Sequence, residues 1–207
     1  MLKIVRISAF ALIAVLLVGW GMVWLRGGGM KLGLDDLGLA IPGGVLMGGP
    51  FTLVNTAGET VTEETFRGRW MLVYFGFTYC PDVCPTELQT ISSALDRLGP
   101  QARQVVPVFI TVDPERDTPA ALAEYVKLFD ERLVGLTGSK EQIAAAAKSY
   151  RVYYARAKAK DTADYLMDHS SFIYLIGPDG GFRALFRHGM AAQEMADSLK
   201  SRLAPGG

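Results

Sequence analysis

The chain has two cysteines, Cys80 and Cys84, which lie four residues apart in the run Cys-Pro-Asp-Val-Cys-Pro. An apolar stretch, residues 71–75, comes directly before this run, and residues 86–98 have the apolar spacing of a helix. Both thiols are therefore expected where a strand leads into a helix. A helix N-terminus has free N–H groups and a partial positive charge, which favour thiolate over thiol. The pair is suited to nucleophilic chemistry or to binding a soft metal ion.

If the helix already begins near Cys80, the spacing of four places both sulfurs on one helix face, one turn apart. An inert disulfide is the alternative, since such bridges are common in exported proteins. A bridge that closes so short a loop removes little entropy from the unfolded chain, because that gain grows with loop length. The spacing favours functional thiols, and it leaves open whether they bind metal or exchange electrons.

An imidazole could come from either of two histidines, His169 and His188. His169 comes just before a predicted strand at residues 172–176, so we expect it in a loop or at a strand start. His188 lies in a turn at the end of the last predicted hairpin and is the weaker candidate. Two thiolates and one imidazole form a soft, low-coordinate set that suits copper, whereas structural zinc would need a fourth ligand.

Two aspartates are further candidates near the cysteines. Asp82 lies inside the cysteine run and could be a fourth ligand or a hydrogen-bond acceptor beside the site; capping the following helix is its alternative role. Asp113 follows a second apolar strand, residues 105–112, and could also reach the site, with a capping or turn role as the alternative. The eight methionines are scattered, which favours core packing over thioether ligation.

The N-terminal residues predict a membrane anchor. Lys3 and Arg6 precede nineteen uncharged, mostly apolar residues, 7–25. As a helix this segment would span about 28 Å, close to the ~30 Å hydrocarbon core of a bilayer. The positive flank places the short tail in the cytoplasm and the rest outside, in a bacterial-type inner membrane with the globular part on the periplasmic side. A long cleaved signal peptide is the alternative.

The rest of the chain reads as a tether and one domain. We predict a cytoplasmic tip and transmembrane anchor at 1–26, a flexible glycine-rich tether at 27–48, and a single globular domain at 49–207. The 21 basic and 21 acidic residues give zero formal charge, and basic runs with interleaved aromatics are absent from the sequence. Nucleic acid is therefore not expected as a partner.

Hydrophobic patterning predicts an α/β domain with a mixed sheet flanked by helices. Strands are expected at 51–54, 60–62, 71–75, 105–112, 133–136, 172–176 and 182–186, and helices at 86–98, from Asp117 or Thr118 to 129, at 139–150 and at 192–203. Strand, helix and strand around the cysteines form a parallel crossover, which places the thiols at the carboxyl end of a strand. Open α/β sheets usually bind ligands at that edge.

Three motifs together resemble the Sco/SenC copper proteins. They are Gly-Phe-Thr-Tyr-Cys-Pro-Asp-Val-Cys-Pro at 76–85, Thr-Val-Asp-Pro-Glu-Arg-Asp-Thr at 111–118 and Asp-His-Ser-Ser at 168–171. The resemblance covers nearly the whole chain. It implies a thioredoxin-like fold, in which the His169 segment lies beside the cysteine loop, and one copper ion per chain bound by Cys80, Cys84 and His169.

The resemblance also implies a role in assembling the dinuclear copper centre of cytochrome c oxidase. The expected partners are the copper-receiving subunit of that oxidase or a copper-donating chaperone. The sequence departs from the family pattern in two places: Tyr79 stands where many relatives have a histidine, and Met167 stands where an aliphatic residue is usual.

Two enzymatic alternatives stay open beside this metallochaperone role. A thiol-disulfide reductase would use Cys80 and Cys84 as its redox pair on an acceptor's cysteines without carrying copper, and the sequence does not say which one attacks. A thiol peroxidase would need a group to activate its cysteine, and Arg116 is the nearest candidate.

Overall fold

The computed structural model describes residues 47–158 and 165–203. Nine strands are present in these residues: β1 (Thr52–Asn55), β2 (Thr60–Thr62), β3 (Trp70–Gly76), β4 (Val105–Thr111), β5 (Val134–Thr137), β6 (Tyr154–Lys158), β7 (Tyr165–His169), β8 (Phe172–Ile176) and β9 (Phe182–Arg187). The described α-helices are α1 (Val83–Leu98), α2 (Pro119–Val126), α3 (Lys140–Ser149) and α4 (Ala192–Leu203). Two short 3₁₀ helices, Glu63–Phe66 and Gly99–Gln104, complete the elements.

A seven-stranded mixed sheet runs in the order β2-β1-β5-β4-β3-β8-β9. Strands β3, β4 and β5 are parallel, and β8 joins β3 from the other side in antiparallel register. All of β4 and almost all of β3 are buried, as expected for apolar strands covered on both faces. The predicted mixed sheet flanked by helices is confirmed.

The carboxyl end of β3 is next to that of β4, with Gly76 opposite Thr111. The chain leaves β3 into the cysteine run and leaves β4 into the second motif. Both motifs therefore meet at one edge of the sheet. Helix α1 begins at Val83, three residues earlier than predicted, so Cys84 lies in its first turn and Cys80 precedes it.

Thr118 caps α2, since its side chain accepts a hydrogen bond from the Ala121 amide. The same helix ends at Val126, short of the predicted residue 129. Ser139 caps α3 through a capping box with Gln142. Helices α1 and α4 pack against each other.

Strands β6 and β7 form a separate two-stranded antiparallel hairpin that the sequence patterns did not predict. His169 is the last residue of β7 and pairs with Tyr154. The expectation that His169 lies in a loop or at a strand start was therefore wrong, because this half-exposed segment pairs with β6.

The predicted membrane segment 7–25 and the tether up to residue 46 lie outside the described residues. Among residues 47–158 and 165–203, none of the helices has the length and apolar character that a membrane crossing needs.

Candidate metal and thiol site

Cys84 is the buried centre of the site. Its side chain is fully covered, and its Sγ lies 3.4 Å from Nε2 of His169 and 3.8 Å from the hydroxyl of Tyr74. Gly76 makes room for this sulfur, because a Cβ at Gly76 would lie 2.9 Å from Sγ. The structure thus brings the second cysteine and the late histidine, 85 residues apart in sequence, into direct contact.

Cys80 lies at the mouth of the site and is half-buried. Its Sγ accepts a hydrogen bond from the Cys84 amide, at 3.3 Å, in the first turn of α1. The two cysteines are not joined by a disulfide in this structure. The expected arrangement, with a sulfur at the N-terminal amides of a helix, is therefore present for Cys80.

The two thiols differ in acidity. The hydrogen bond from the Cys84 side chain, helped by backbone amides, outweighs burial and lowers the pKa of Cys80 to about 4. The same hydrogen bond to Cys80, together with burial, raises the pKa of Cys84 well above its usual range. Cys80 is thus the thiolate and Cys84 the thiol, a ranking that the sequence left open.

His169 presents Nε2 to the sulfurs. Its Nδ1 lies 3.1 Å from the carbonyl oxygen of Ser170, which can only accept, so Nδ1 carries the proton and Nε2 offers a lone pair. The rings of Phe77 and Tyr74 meet the imidazole edge to face, with centroids 5.9 and 6.1 Å away. The imidazole is therefore held in the tautomer that a metal ligand or a thiol proton acceptor needs.

The spacing of the Cys84 sulfur and the His169 imidazole suits a small thiophilic ion. Two ligands on one ion, with bonds of about 2.3 Å to sulfur and about 2.0 Å to nitrogen, lie about 3.5 Å apart at a tetrahedral angle. The observed Sγ to Nε2 distance of 3.4 Å is close to that spacing. In the part of the chain that the structure describes, a cluster of three His, Cys, Asp or Glu side chains already in binding geometry is not found.

The two candidate aspartates lie in different surroundings. Asp82 is exposed at the N-cap position of α1, and its side chain makes no capping hydrogen bond. Asp113 is buried, and its two oxygens are engaged by the Arg116 guanidinium and by the hydroxyl of Tyr165 at 2.8 Å. Asp113 thus pairs with Arg116 and Tyr165.

Asp117 is a buried residue whose role the sequence patterns missed. It accepts hydrogen bonds from the amide and hydroxyl of Thr78, at 3.0 and 2.5 Å, and from the hydroxyl of Thr111 at 2.6 Å. Burial raises its pKa above the usual 3.8 in spite of these donors. The sequence predicted Asp117 as a possible helix cap, whereas it fastens the cysteine loop to the end of β4.

His188 has a different partner from His169. Its Nδ1 lies 2.6 Å from a carboxylate oxygen of Glu87, a fully buried residue of α1 that also accepts from the Gly189 amide at 3.1 Å. This placement agrees with the expectation that His188 is the weaker of the two candidate ligands. The partnership was not visible in the sequence, because 101 residues separate the two side chains.

Three further residues that the sequence singled out lie near the site or in the core. Met167 is buried in the hydrophobic core, which supports its packing role. Tyr79 is 60% exposed, and Arg116 stacks on its ring. Nε of Arg116 is also paired with Asp113, while its buried Nη2 has no hydrogen-bond partner among the described residues.

A family model described as SCO1/SenC matches residues 41–204. The human "Protein SCO1 homolog, mitochondrial" is 44% identical over 162 residues, which make up 77% of this chain and 54% of the human protein. The chain therefore spans little more than half the length of that relative.

Solved structures of Sco proteins also resemble this chain. Arabidopsis thaliana ScoI with copper bound has a TM-score of 0.72 and 44% identity, over 76% of this chain and 98% of that one. BsSco, described as having a disulfide switch and as a member of the Sco family of cytochrome c oxidase assembly proteins, has a TM-score of 0.61 and 27% identity, over 77% and 95% of the two chains. The fold is thioredoxin-like, as in these neighbours. The chain belongs to the SCO1/SenC family.

Proposed function

We propose that this protein binds one copper ion through Cys80, Cys84 and His169 and serves the assembly of the dinuclear copper centre of cytochrome c oxidase. The observation that carries the proposal is the contact of Cys84 Sγ with His169 Nε2 at 3.4 Å, beside the half-buried Cys80 thiolate. Two sulfurs and an imidazole are soft donors that suit copper. The copper bound to Arabidopsis ScoI supports the choice of metal.

Two of the three donor residues of the site can be reached from solvent, as loading and release of a metal ion require. Cys80 and His169 are only partly covered, whereas Cys84 is fully buried, so the donors are accessible from one side. Binding of a metal ion releases the proton of the Cys84 thiol, because thiolates are the ligating form. The expected acceptor is the copper-receiving subunit of the oxidase, and a copper-donating chaperone would supply the ion; the description of BsSco supports this setting.

We also propose that residues 7–25 anchor the protein in a bacterial-type inner membrane, with residues 27–48 as a tether and the domain 49–207 on the periplasmic side. The charge pattern around the apolar segment supports this orientation. Protease added to spheroplasts should then cleave the domain, while protection of the domain from protease would reverse the orientation.

Copper binding is tested by equilibrium dialysis of the full chain in detergent, with His169→Ala and a matched control. We expect one copper ion per wild-type chain and an affinity loss of about tenfold or more in His169→Ala, since one of three ligands is lost. The control is His188→Asn, which changes the second histidine and keeps a donor for the buried Glu87 carboxylate. Unchanged binding in His169→Ala would refute the ligand assignment.

The absorption spectrum of the Cu(II)-loaded protein gives an independent test. Thiolate ligation produces intense sulfur-to-metal charge transfer, which should be present in the wild-type protein and lost in Cys80→Ser/Cys84→Ser. A spectrum without these bands would exclude the cysteines as ligands and shift the assignment to redox chemistry.

A second function, thiol-disulfide reductase, is favoured by the unequal depth and acidity of the two cysteines. The half-buried Cys80 thiolate would attack an acceptor disulfide and release one acceptor thiolate. Cys84 would then displace the second acceptor thiolate, so that the acceptor disulfide is reduced and Cys80–Cys84 is oxidised. Cys84→Ser should accumulate the mixed disulfide through Cys80, and failure to trap any mixed disulfide would exclude this function.

A further inference from the structure

His169 is carried by a hairpin that stands apart from the main sheet. Strands β6 and β7 pair with each other, and in the described residues neither joins the seven-stranded sheet. The cysteines, in contrast, follow directly from β3 in the centre of that sheet. Phe172, three residues after His169, begins β8, which pairs with β3, so the main sheet fixes the chain just beyond the histidine. The placement of the start of β7 depends on the side chains that join the hairpin to the cysteine loop.

Arg116 lies between these two parts. Its guanidinium carbon is 3.9 Å from the ring centroid of Tyr165 and 4.5 Å from that of Tyr79. Tyr165 opens strand β7, four residues before His169, and Tyr79 directly precedes Cys80. One guanidinium thus contacts both the histidine strand and the cysteine loop. Cation–π contacts of this kind stabilise most when they are shielded from water.

Polar contacts fix the same guanidinium. Nη1 of Arg116 donates to the Tyr165 backbone carbonyl at 3.0 Å, and Nε forms an ion pair with Asp113. The Tyr165 hydroxyl donates to the other oxygen of Asp113 at 2.8 Å. The Arg116 side chain is 17% exposed and that of Asp113 is 2% exposed, so these bonds are largely withdrawn from water. They hold the start of β7 to the loop that follows β4.

We propose that Arg116 is a positioning residue for the metal site, because it docks the hairpin that carries His169 against the loop that carries Cys80. This inference rests on the proposed function, since it assigns Arg116 a part in copper binding through His169. A planar, forked guanidinium is required, since it must stack on two rings and donate at its edge at the same time. Lysine has neither property, although it keeps the charge beside Asp113.

The test is a double-mutant cycle on the full chain in detergent, with copper affinity measured for wild type, Arg116→Lys, His169→Ala and the double variant. We expect Arg116→Lys to weaken binding about tenfold in the wild-type background and less than about twofold in the His169→Ala background. Arg156→Met is the control, because Arg156 also stacks over Tyr165, at 4.3 Å, but is half-exposed; its effect should stay below about threefold.

Equal losses in both backgrounds, or none in either, would overturn the proposal. A copper-free measurement separates this failure from that of the proposed function. The imidazole NMR signals of His169 and His188 are followed in apo protein, and Arg116→Lys should move or broaden the His169 signal alone. If His169→Ala leaves copper affinity unchanged, the proposed function fails, while the NMR result still supports or overturns the positioning role. If Arg116→Lys does not fold, Tyr79→Ser removes one stacking ring from an exposed position and should show the same dependence on His169.

Discussion

Gly76 sets the depth at which the Cys84 sulfur lies. A Cβ at this position would lie 2.8 Å from a ring carbon of Phe109, 2.9 Å from Cys84 Sγ and 3.2 Å from a ring carbon of Tyr74. All three neighbours are buried, and a spacing below 3 Å requires one of them to move. The Cys84 side chain is the smallest of the three. We therefore predict that Gly76→Ala displaces the sulfur.

The size of the effect follows from overpacking. An extra methyl group in a packed core costs about 1–3 kcal/mol, which for a domain of this size lowers the midpoint of thermal unfolding by about 2–12 °C. If copper binding requires the sulfur to return to its wild-type position, the overpacking energy is subtracted from the binding free energy, and the copper affinity falls by about 5- to 150-fold. Competition with a Cu(I) chelator measures that affinity, and differential scanning calorimetry measures the stability.

Gly135→Ala is the matched control. Its Cβ would lie 2.9 Å from Leu122 and 3.0 Å from Val126, in the packing of β5 against α2. It should lose a similar amount of stability without a change in copper affinity greater than about twofold. If Gly76→Ala and Gly135→Ala lose equal stability and both keep wild-type affinity, the argument that Gly76 positions the Cys84 sulfur is refuted.

Three further predictions concern individual groups of the site. The rate at which iodoacetamide modifies Cys80 should stay constant down to about pH 5, because Cys80 remains a thiolate, and should fall as the pH passes its pKa of about 4. Cys84 should react only when the protein unfolds. Equal modification rates at both cysteines, measured by mass spectrometry, would contradict this prediction. Because the pKa of Asp117 is raised in the folded protein, protonation of this carboxylate favours the folded state. The unfolding free energy of the wild type, relative to that of Asp117→Asn, should therefore increase as the pH falls from 7 towards 4 and decrease as the pH rises. A difference between the two proteins that does not change with pH in urea titrations would count against this prediction. Tyr74→Phe removes a donor to Cys84 and should shift the sulfur-to-copper charge-transfer band to lower energy, whereas Tyr150→Phe, at a buried tyrosine that packs on Phe75, should not.

Much of the sheet and the cysteine edge could be predicted from local pattern. Strands β3 and β4 are continuous apolar runs, and such runs are typical of strands buried on both faces. The placement of both motifs at one sheet edge then follows from parallel pairing. Local pattern does not fix the start of α1 at Val83, because Pro85 can either precede a helix or lie in its first turn. Proline is tolerated in the first turn, since a backbone N–H there has no helical partner.

The hairpin of β6 and β7 could not be predicted in this way. Its burial is partial and irregular, with Met167 as the one buried residue of its ten, so hydrophobic alternation is weak. Its position depends on Arg116, whose contacts join residues 49 positions apart. Asp117 was missed for the same reason, since its donors lie 6 and 39 positions away.

The different depths of the two sulfurs impose an order of events on any exchange at this site. An incoming donor atom from another protein can approach Cys80 from solvent, whereas the rings and strands around Cys84 block a direct approach to that sulfur. Substitution would thus begin at the outer sulfur and finish at the inner one. A trapped ternary intermediate should then retain the bond to the inner sulfur after the outer one has been replaced.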